Sequence, residues 1–278
     1  MVVVAVCGVL LVAGVVCGVA WGGRSFRAPG AESTLSAVGV ARRYVRSVGL
    51  GLLAGVAAGV TVIGGGGRLA MRLLAVTGGD DAQGRITEAD EVVGEVTIGG
   101  TVSFVLFNGV FFGIIAGLLY VAVRRLLPSG LVGGAVFGLA LLIIVGTTID
   151  PLRPDNPDFD LVGPGWLAVL VFGLLAFAFG VALTGFVARL SEWLPLPSLD
   201  RRVLLRYSAP AALAVLGSVS TIIAVIAGAA VVAGSRVPPL AAAARSPRTV
   251  LVGRAIALVL VLAALPGTVT ALADIAGR

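Results

Sequence analysis

Histidine and lysine are absent from this chain of 278 residues, and cysteine occurs only twice. The absence of histidine excludes His-dependent catalytic triads and His-ligated metal sites. Two cysteines are too few for a thiolate cage, and there is no lysine to complete a phosphate-binding loop of the Lys-Ser/Thr type. We therefore expect no metal and no cofactor, and the sequence disfavours an enzyme.

Charged side chains are also scarce. They make up 12% of the chain, whereas about a quarter is usual in soluble domains. The mean hydropathy is +1.09, which indicates that hydrocarbon surrounds most of the molecule. Because lipid offers no hydrogen bonds, the backbone must pair internally as helices or as a closed barrel. The long apolar runs favour helices, since barrel strands alternate apolar and polar residues.

Seven apolar runs are each close to the length of about 20 residues that a membrane-spanning helix needs. The sequence therefore predicts a single integral membrane domain over residues 1–278, an all-α polytopic transmembrane helix bundle of about seven spans with short interfacial or outer helices. The first run lacks a basic n-region, so we interpret it as a retained helix rather than a cleaved signal peptide. The predicted spans are 2–21, 47–67, 102–123, 131–149, 166–188, 208–233 and 250–272.

All 20 basic residues are arginine, and valine, alanine, leucine and glycine dominate the apolar positions. This bias is typical of a GC-rich bacterial genome, so we expect a multi-pass protein of the bacterial cytoplasmic (inner) membrane. The net charge is +6, but the arginines cluster at the ends of apolar runs. That position is typical of membrane-interface anchors, so the expected partner is the lipid bilayer and not nucleic acid.

The arginine distribution predicts an orientation, because cytoplasmic loops are enriched in basic residues. Arginines follow the first, third and fifth runs, which places the N-terminus outside and the C-terminus in the cytoplasm. The outer polar segments 68–101 and 150–165 then carry most of the acids. One loop contradicts this scheme, since Arg236, Arg245 and Arg248 would lie outside. Either that loop tolerates the violation, or one of the last two runs does not fully span.

Glycines recur at intervals of four in three of the runs, which places them on one face of each helix. Without side chains there, two backbones can approach closely and pack where the hydrophobic effect does not act. Chance matches are the alternative, because the chain has 40 glycines. The triplets are Gly51, Gly55 and Gly59; Gly109, Gly113 and Gly117; and Gly130, Gly134 and Gly138.

The polar segment 68–101 is the first candidate functional site. Arg68 and Arg72 lie four residues apart in an amphipathic stretch, which either lies along the interface or continues the second span. Thr87 to Asp90 fits the N-cap and first turn of a short helix. We hypothesise a charged vestibule in which the two arginines face Asp80, Asp81, Glu88, Asp90 and Glu91. Alternatively, the arginines extend to lipid headgroups and the acids stay hydrated.

The second outer segment, 150–165, carries Asp155, Asp158 and Asp160 between prolines. A hard cation such as calcium could bind several of these oxygens weakly. The spacing does not match a helix-loop-helix calcium site, and the required glycine is missing. A hydrated acidic turn is the alternative.

Two functions of different classes fit these features. The sequence favours a permease-like or channel-like protein for a small solute, which would need a water-filled cavity containing Asn108 or the hydroxyls of residues 218–221. The alternative is a non-transporting structural or assembly partner with a solid, glycine-packed core and a flat apolar outer face. Either could bind a helix-packing protein partner or a second copy of the chain.

Overall fold

The computed structural model describes residues 1–24, 26–28 and 36–278, apart from the side chains of Leu240, Ala244 and Arg245. Within these ranges the chain forms nine helices of eight or more residues and no β-strand. They are α1 Val2–Gly22, α2 Ala37–Thr77, α3 Ile98–Val123, α4 Gly130–Gly146, α5 Gly165–Trp193, α6 Arg201–Leu216, α7 Ser218–Ser235, α8 Pro238–Arg245 and α9 Pro247–Ala276.

Six of the described helices, α1, α2, α3, α5, α7 and α9, are long and apolar enough to cross a membrane, and α4 is a shorter apolar helix. Apolar side chains cover the outward surfaces of α1, α7 and α9, where few residues are buried. A helix with this surface is stable only in contact with hydrocarbon or with other apolar helices. The predicted all-α membrane bundle of about seven spans is confirmed.

Helix α2 is much longer than its predicted span of 47–67. Its 41 residues extend over about 60 Å, roughly twice the thickness of the hydrocarbon core of a bilayer. Residues 68–76 continue α2, which is the second of the two predicted alternatives. A π-helical segment, Gly59–Gly66, joins the two parts, and it packs against a second π-helical segment in α3, Val105–Phe111.

The glycine triplets of α2 and α3 face each other, as their spacing predicted. The helices run antiparallel, with Gly51 against Gly117, Gly55 against Gly113, and Gly59 against Gly109. A β-carbon at Gly51 would lie 2.8 Å from the carbonyl oxygen of Gly117, closer than van der Waals contact allows. The two backbones can approach this closely only because both faces lack side chains.

The same packing joins α4 and α1 to α5. Gly134 and Gly138 of α4 lie against Gly180 and Ala176 of α5. Gly18 of α1 packs on the other side of α5, beside Gly185. Around these contacts a central core forms whose buried members include Ala54, Val62, Tyr120, Phe137, Phe179 and Leu183.

The predicted span 208–233 does not form one helix. The chain breaks at Gly217, whose φ of −92° and ψ of 40° end α6 and begin α7. Gly217 packs against Ile114, near the middle of α3. The sequence had left open that one of the last two runs does not fully span, and the break falls where the run contains Gly217 followed by Ser218, Ser220 and Thr221.

Helices α6 and α7 form a hairpin that enters and leaves at the same end of the bundle. Gly49 of α2 lies beside Tyr207 of α6, and the Tyr44 hydroxyl donates to the carbonyl of Ala224 in α7 at 2.5 Å. Tyr207 and Ala224 would be about 25 Å apart on a straight helix, whereas Tyr44 and Gly49 are separated by about 7.5 Å. The chain must therefore reverse at Gly217.

This reversal places the C-terminus at the opposite end of the bundle from the one predicted. Arg278 donates to the carbonyl of Pro154 at 2.7 Å and pairs with Asp160. The C-terminus thus lies beside segment 150–165, and the prediction that the two lie on opposite sides is wrong. Helix α1 begins at this end as well, because Cys7, near its start, lies beside Gly65 in the C-terminal half of α2.

The bundle consequently has two ends of opposite charge. We call the end that carries residues 78–97 and 147–164 the acidic end, and the other the arginine-rich end. Because α7 returns to the arginine-rich end, Arg236 and Arg248 join the arginines of the other loops there, and Arg254 donates to the carbonyl of Leu126 at 3.0 Å. The loop that contradicted the charge pattern in the sequence no longer does so.

Candidate functional site: the acidic cap and the arginine-rich end

The acidic cap, residues 78–97 and 147–164, is built from two segments that fold on each other. In the first, a 3-10 turn at Asp80–Ala82 leads into a short hairpin with a bridge between Ile86 and Val92. Asp90, at the tip, has a φ of 57°, which is incompatible with a helix. The predicted N-capped helix at Thr87 is therefore wrong, and the Thr87 hydroxyl donates across the hairpin to the Glu91 carbonyl at 3.1 Å.

Apolar contacts attach both cap segments to the bundle. Ala82 and Val93 of the hairpin are buried against Ala75 of α2, with Val162 packed beside them. Leu152 and Phe159 of the second segment are buried against α2, α5 and the end of α9. These contacts fix the cap on the helix ends, so its charged groups have defined neighbours.

Arg153 is the centre of the charged groups in the cap. Its Nη2 donates to both carboxylate oxygens of Glu88 in the hairpin, with 2.6 Å to Oε2, and its Nε lies 2.8 Å from Asp155 Oδ1. The Glu88 backbone N–H donates to Asp158 at 2.8 Å. The hydrogen bond to Glu88 raises the pKa of Arg153. Arg153 therefore joins the two cap segments, a role that sequence analysis missed because 65 residues separate it from Glu88.

Arg68 and Arg72 do not pair with the predicted acids. Arg72 donates to the backbone carbonyl of Gly94 at 2.7 Å, and Arg68 donates to the Thr101 hydroxyl at 3.3 Å. The Arg68 guanidinium also lies 5.7 Å from the centre of the Phe104 ring. Among the described residues neither arginine forms an ion pair, so both hold the cap and α3 mainly through uncharged groups.

The acids proposed for the vestibule are spread over the cap. Asp80, Asp81 and Asp90 are exposed, and Glu88 pairs with Arg153. The half-buried Glu91 carboxylate lies over the first turn of α3, within 3 Å of where a β-carbon at Gly100 would be. A negative charge at this position is favourable, because free N–H groups give a helix N-terminus positive character.

The three aspartates proposed as a weak cation site point to different partners. Asp155 contacts Arg153, Asp160 pairs with Arg278, and Asp158 accepts from the Glu88 backbone. Within the described ranges no cluster of three acidic, histidine or cysteine side chains could hold a metal ion. The structure thus does not bring these carboxylates together around one position.

Asp158 gives the cap a testable pH dependence. Partial burial raises the pKa of its carboxyl, and the nearby Glu88 charge acts in the same direction. A carboxyl whose pKa is higher in the folded protein destabilises the fold when ionised, and this cost disappears below about pH 4, the pKa of an unfolded aspartate.

We therefore expect Asp158→Asn to strengthen the cap at neutral pH only. Asparagine keeps an oxygen for the Glu88 N–H but carries no charge, so its advantage should be present at about pH 7 and lost near pH 3.5. Hydrogen exchange of residues 84–93, corrected for intrinsic rates, measures the effect. Asp81→Asn, at an exposed position away from Arg153 and Glu88, serves as the control. An equal gain in protection at both pH values would contradict the assigned cause.

Arg46 is the buried charge of the arginine-rich end, with 5% of its surface exposed. It donates to the carbonyls of Ser191 at 2.6 Å and Leu194 at 2.7 Å, and to that of Arg27 at 3.1 Å. The first two carbonyls belong to the C-terminal turn of α5, where a positive charge is favourable. In the sequence, Arg46 is only one of the arginines that follow the first apolar run and predict the orientation.

Comparison with known proteins gives no relative. The sequence matches no protein-family model, no curated protein and no solved structure. Functional inference therefore depends on the geometry of the bundle itself.

Two concavities lie on the outside of the described surface. One is an open cleft of about 510 Å³ in the acidic cap, lined by Thr77, Phe159, Asp160 and Arg278 among others. The second is an apolar groove of about 520 Å³ along α1, lined by residues such as Gly8 and Val12. Neither concavity includes Asn108 or the hydroxyls of residues 218–221, so the water-filled cavity that a permease would need is not among them.

Proposed function

We propose that the protein is a non-transporting structural or assembly partner of the membrane. The backbone contact between α2 and α3 supports this function, because Gly55 and Gly113 meet in the middle of the bundle and leave no space for a solute. A second contact of the same kind, between Gly134 and Gly180, closes the space between α4 and α5. A protein whose helices are packed this tightly contributes a rigid, shaped surface to the bilayer.

The same proposal includes an orientation. We infer that the arginine-rich end faces the cytoplasm and that both termini and the acidic cap lie outside, in the bacterial inner membrane. The charge asymmetry supports this, since basic residues favour the cytoplasmic side. Cysteine placed at Arg85 should then react with an impermeant maleimide in intact cells, while cysteine at Arg125 should react only after lysis. This test uses a variant in which Cys7 and Cys17 are replaced by serine.

We expect the purified protein to transport no small solute across a vesicle membrane. Purified protein in vesicles should give no efflux of chloride, potassium, glycerol or sucrose above that of empty vesicles. Gly113→Ala is the matched variant, since it forces α2 and α3 apart and should only add leakage. A saturable flux with the wild-type chain would overturn the proposal.

One observation favours the permease-like alternative. The α6–α7 hairpin ends near the middle of α3, and the buried Thr221 hydroxyl oxygen in the first turn of α7 has no hydrogen-bond partner in the described part of the chain. In transporters, interrupted helices often place such ends at a binding site near the midplane. If flux is observed, Arg68→Gln with Arg72→Gln should alter it while insertion and yield stay unchanged, whereas anchoring arginines would reduce insertion instead.

A further inference from the structure

The acids at the arginine-rich end are already engaged by the protein. Glu192 pairs with Arg24 at 3.1 Å and with Arg189 at 3.0 Å. The Asp200 side chain caps α6 by accepting from the Arg202 backbone N–H at 2.7 Å. In the described part of this end no other acidic side chain is present.

A set of arginines remains there without any such partner. These side chains are exposed and make no ion pair or hydrogen bond within the described residues. Positive charges at this density repel one another, so an anionic partner from outside the chain lowers their electrostatic energy. The set, which we call the arginine surface, consists of Arg42, Arg125, Arg201, Arg202, Arg236 and Arg248.

The arginine surface borders directly on apolar surface. Leu204 and Leu205 follow Arg201 and Arg202 along α6 and are 52% and 65% exposed. Leu251 follows Arg248 on α9 and is 61% exposed. A dissolved anion or a nucleic acid would meet only the charges, whereas a phospholipid presents an anionic phosphate next to hydrocarbon chains.

We propose that the arginine surface binds the headgroups of anionic phospholipids and enriches them around the α6–α7 hairpin. The guanidinium groups form charge-assisted hydrogen bonds with headgroup phosphate oxygens, while the adjacent leucines contact the acyl chains. This inference is independent of whether the protein transports a solute.

Tryptophan fluorescence can measure the local lipid composition. Trp193 lies at the arginine-rich end, is 40% exposed and stacks against Arg206, whereas Trp166 lies at the acidic end and is 57% exposed. Two variants, each retaining one of these tryptophans and carrying phenylalanine at the other two positions, are reconstituted in vesicles. Bromine on the acyl chains quenches the fluorescence of nearby tryptophan. One set of vesicles contains brominated phosphatidylglycerol with unlabelled phosphatidylcholine, and the other contains brominated phosphatidylcholine with unlabelled phosphatidylglycerol.

We expect Trp193 to report phosphatidylglycerol above its bulk fraction and Trp166 to report the bulk fraction. Each arginine near an anionic surface changes the affinity for an anionic lipid about five-fold. Arg201→Gln with Arg202→Gln should therefore lower the binding constant of phosphatidylglycerol relative to phosphatidylcholine by about that factor or more. Lysine at both positions should restore it, which separates charge from folding. Arg85→Gln, at an exposed position in the acidic cap, should have no effect.

Four results would overturn the proposal. Bulk-like quenching of Trp193, or unchanged quenching in the double glutamine variant, would show that the arginines select no lipid. Competition by inorganic phosphate beyond that of chloride at equal ionic strength would show a site for free phosphate instead. Competition by a short DNA duplex but not by salt would indicate a nucleic-acid surface.

Discussion

Replacing Gly113 with valine is expected to destabilise the bundle strongly, because the new side chain would meet the backbone of α2. A β-carbon at this position would lie 3.1 Å from the carbonyl carbon of Gly55 and 3.2 Å from the α-carbon of Gly59. Both are backbone atoms of α2, which is packed on its other side as well. Neither atom can move away without disrupting those other contacts. We expect a loss of about 3 kcal/mol or more, at or above the upper end of overpacking in well-packed cores.

The matched control is Gly173→Val in α5. Gly173 also lies within a membrane helix, but a β-carbon there would have no neighbour within 4 Å. Unfolding of both variants in mild detergent, followed by circular dichroism and by size-exclusion recovery, compares them under equal conditions. A stability loss for Gly173→Val as large as for Gly113→Val would show that helix propensity, rather than contact between α2 and α3, causes the effect.

Replacing Arg46 with alanine is the second change with a large expected effect. The change removes the hydrogen-bond donors to three backbone carbonyls. Two of these carbonyls, those of Ser191 and Leu194, lie at the C-terminal end of α5. Each buried acceptor left without a partner costs about 1 to 3 kcal/mol, and the positive charge at the helix C-terminus is lost as well. We expect a total loss of about 3 kcal/mol or more and a detached C-terminal end of α5.

Arg42 provides the control, because it lies one turn earlier on α2, is exposed, and forms no ion pair or hydrogen bond through its side chain with the described residues. Arg42→Ala should change the unfolding temperature little in an uncharged detergent. Arg46→Lys should recover only part of the stability, since an ammonium group cannot reproduce the planar fork of donors. If Arg46→Ala and Arg42→Ala unfolded at the same temperature, the buried hydrogen bonds would not be the stabilising feature.

Some parts of the architecture could be predicted because their physical cause is local. Glycines at intervals of four lie on one helix face whatever the rest of the chain does, so Gly55 and Gly113 could be identified as packing positions in advance. The apolar runs likewise predicted the membrane helices, since their length is set by the bilayer thickness.

Other parts of the candidate site depended on distant residues. Thr87 to Asp90 has the composition of a helix start, but the hairpin that it forms is stabilised by contacts of Val93 with α2. Likewise, the acids of the cap could not be assigned to Arg153 rather than to Arg68 or Arg72. Four arginines were available in the two outer segments, since Arg85 is a further candidate, and only the fold places Arg153 beside Glu88.

The sequence by itself determined that this is a membrane-embedded helix bundle with charge segregated between its ends, because hydropathy and glycine spacing act within single helices. Tertiary structure alone decided that the chain reverses at Gly217, that both termini lie at the acidic end, and that Arg46 is buried while Arg42 is exposed. The physical reason is that the hydropathy of an apolar run is the same whether the chain crosses the bilayer or turns back within it, so hydropathy does not choose between the two. Contacts with neighbouring helices, such as that of Gly217 with Ile114, select between these alternatives.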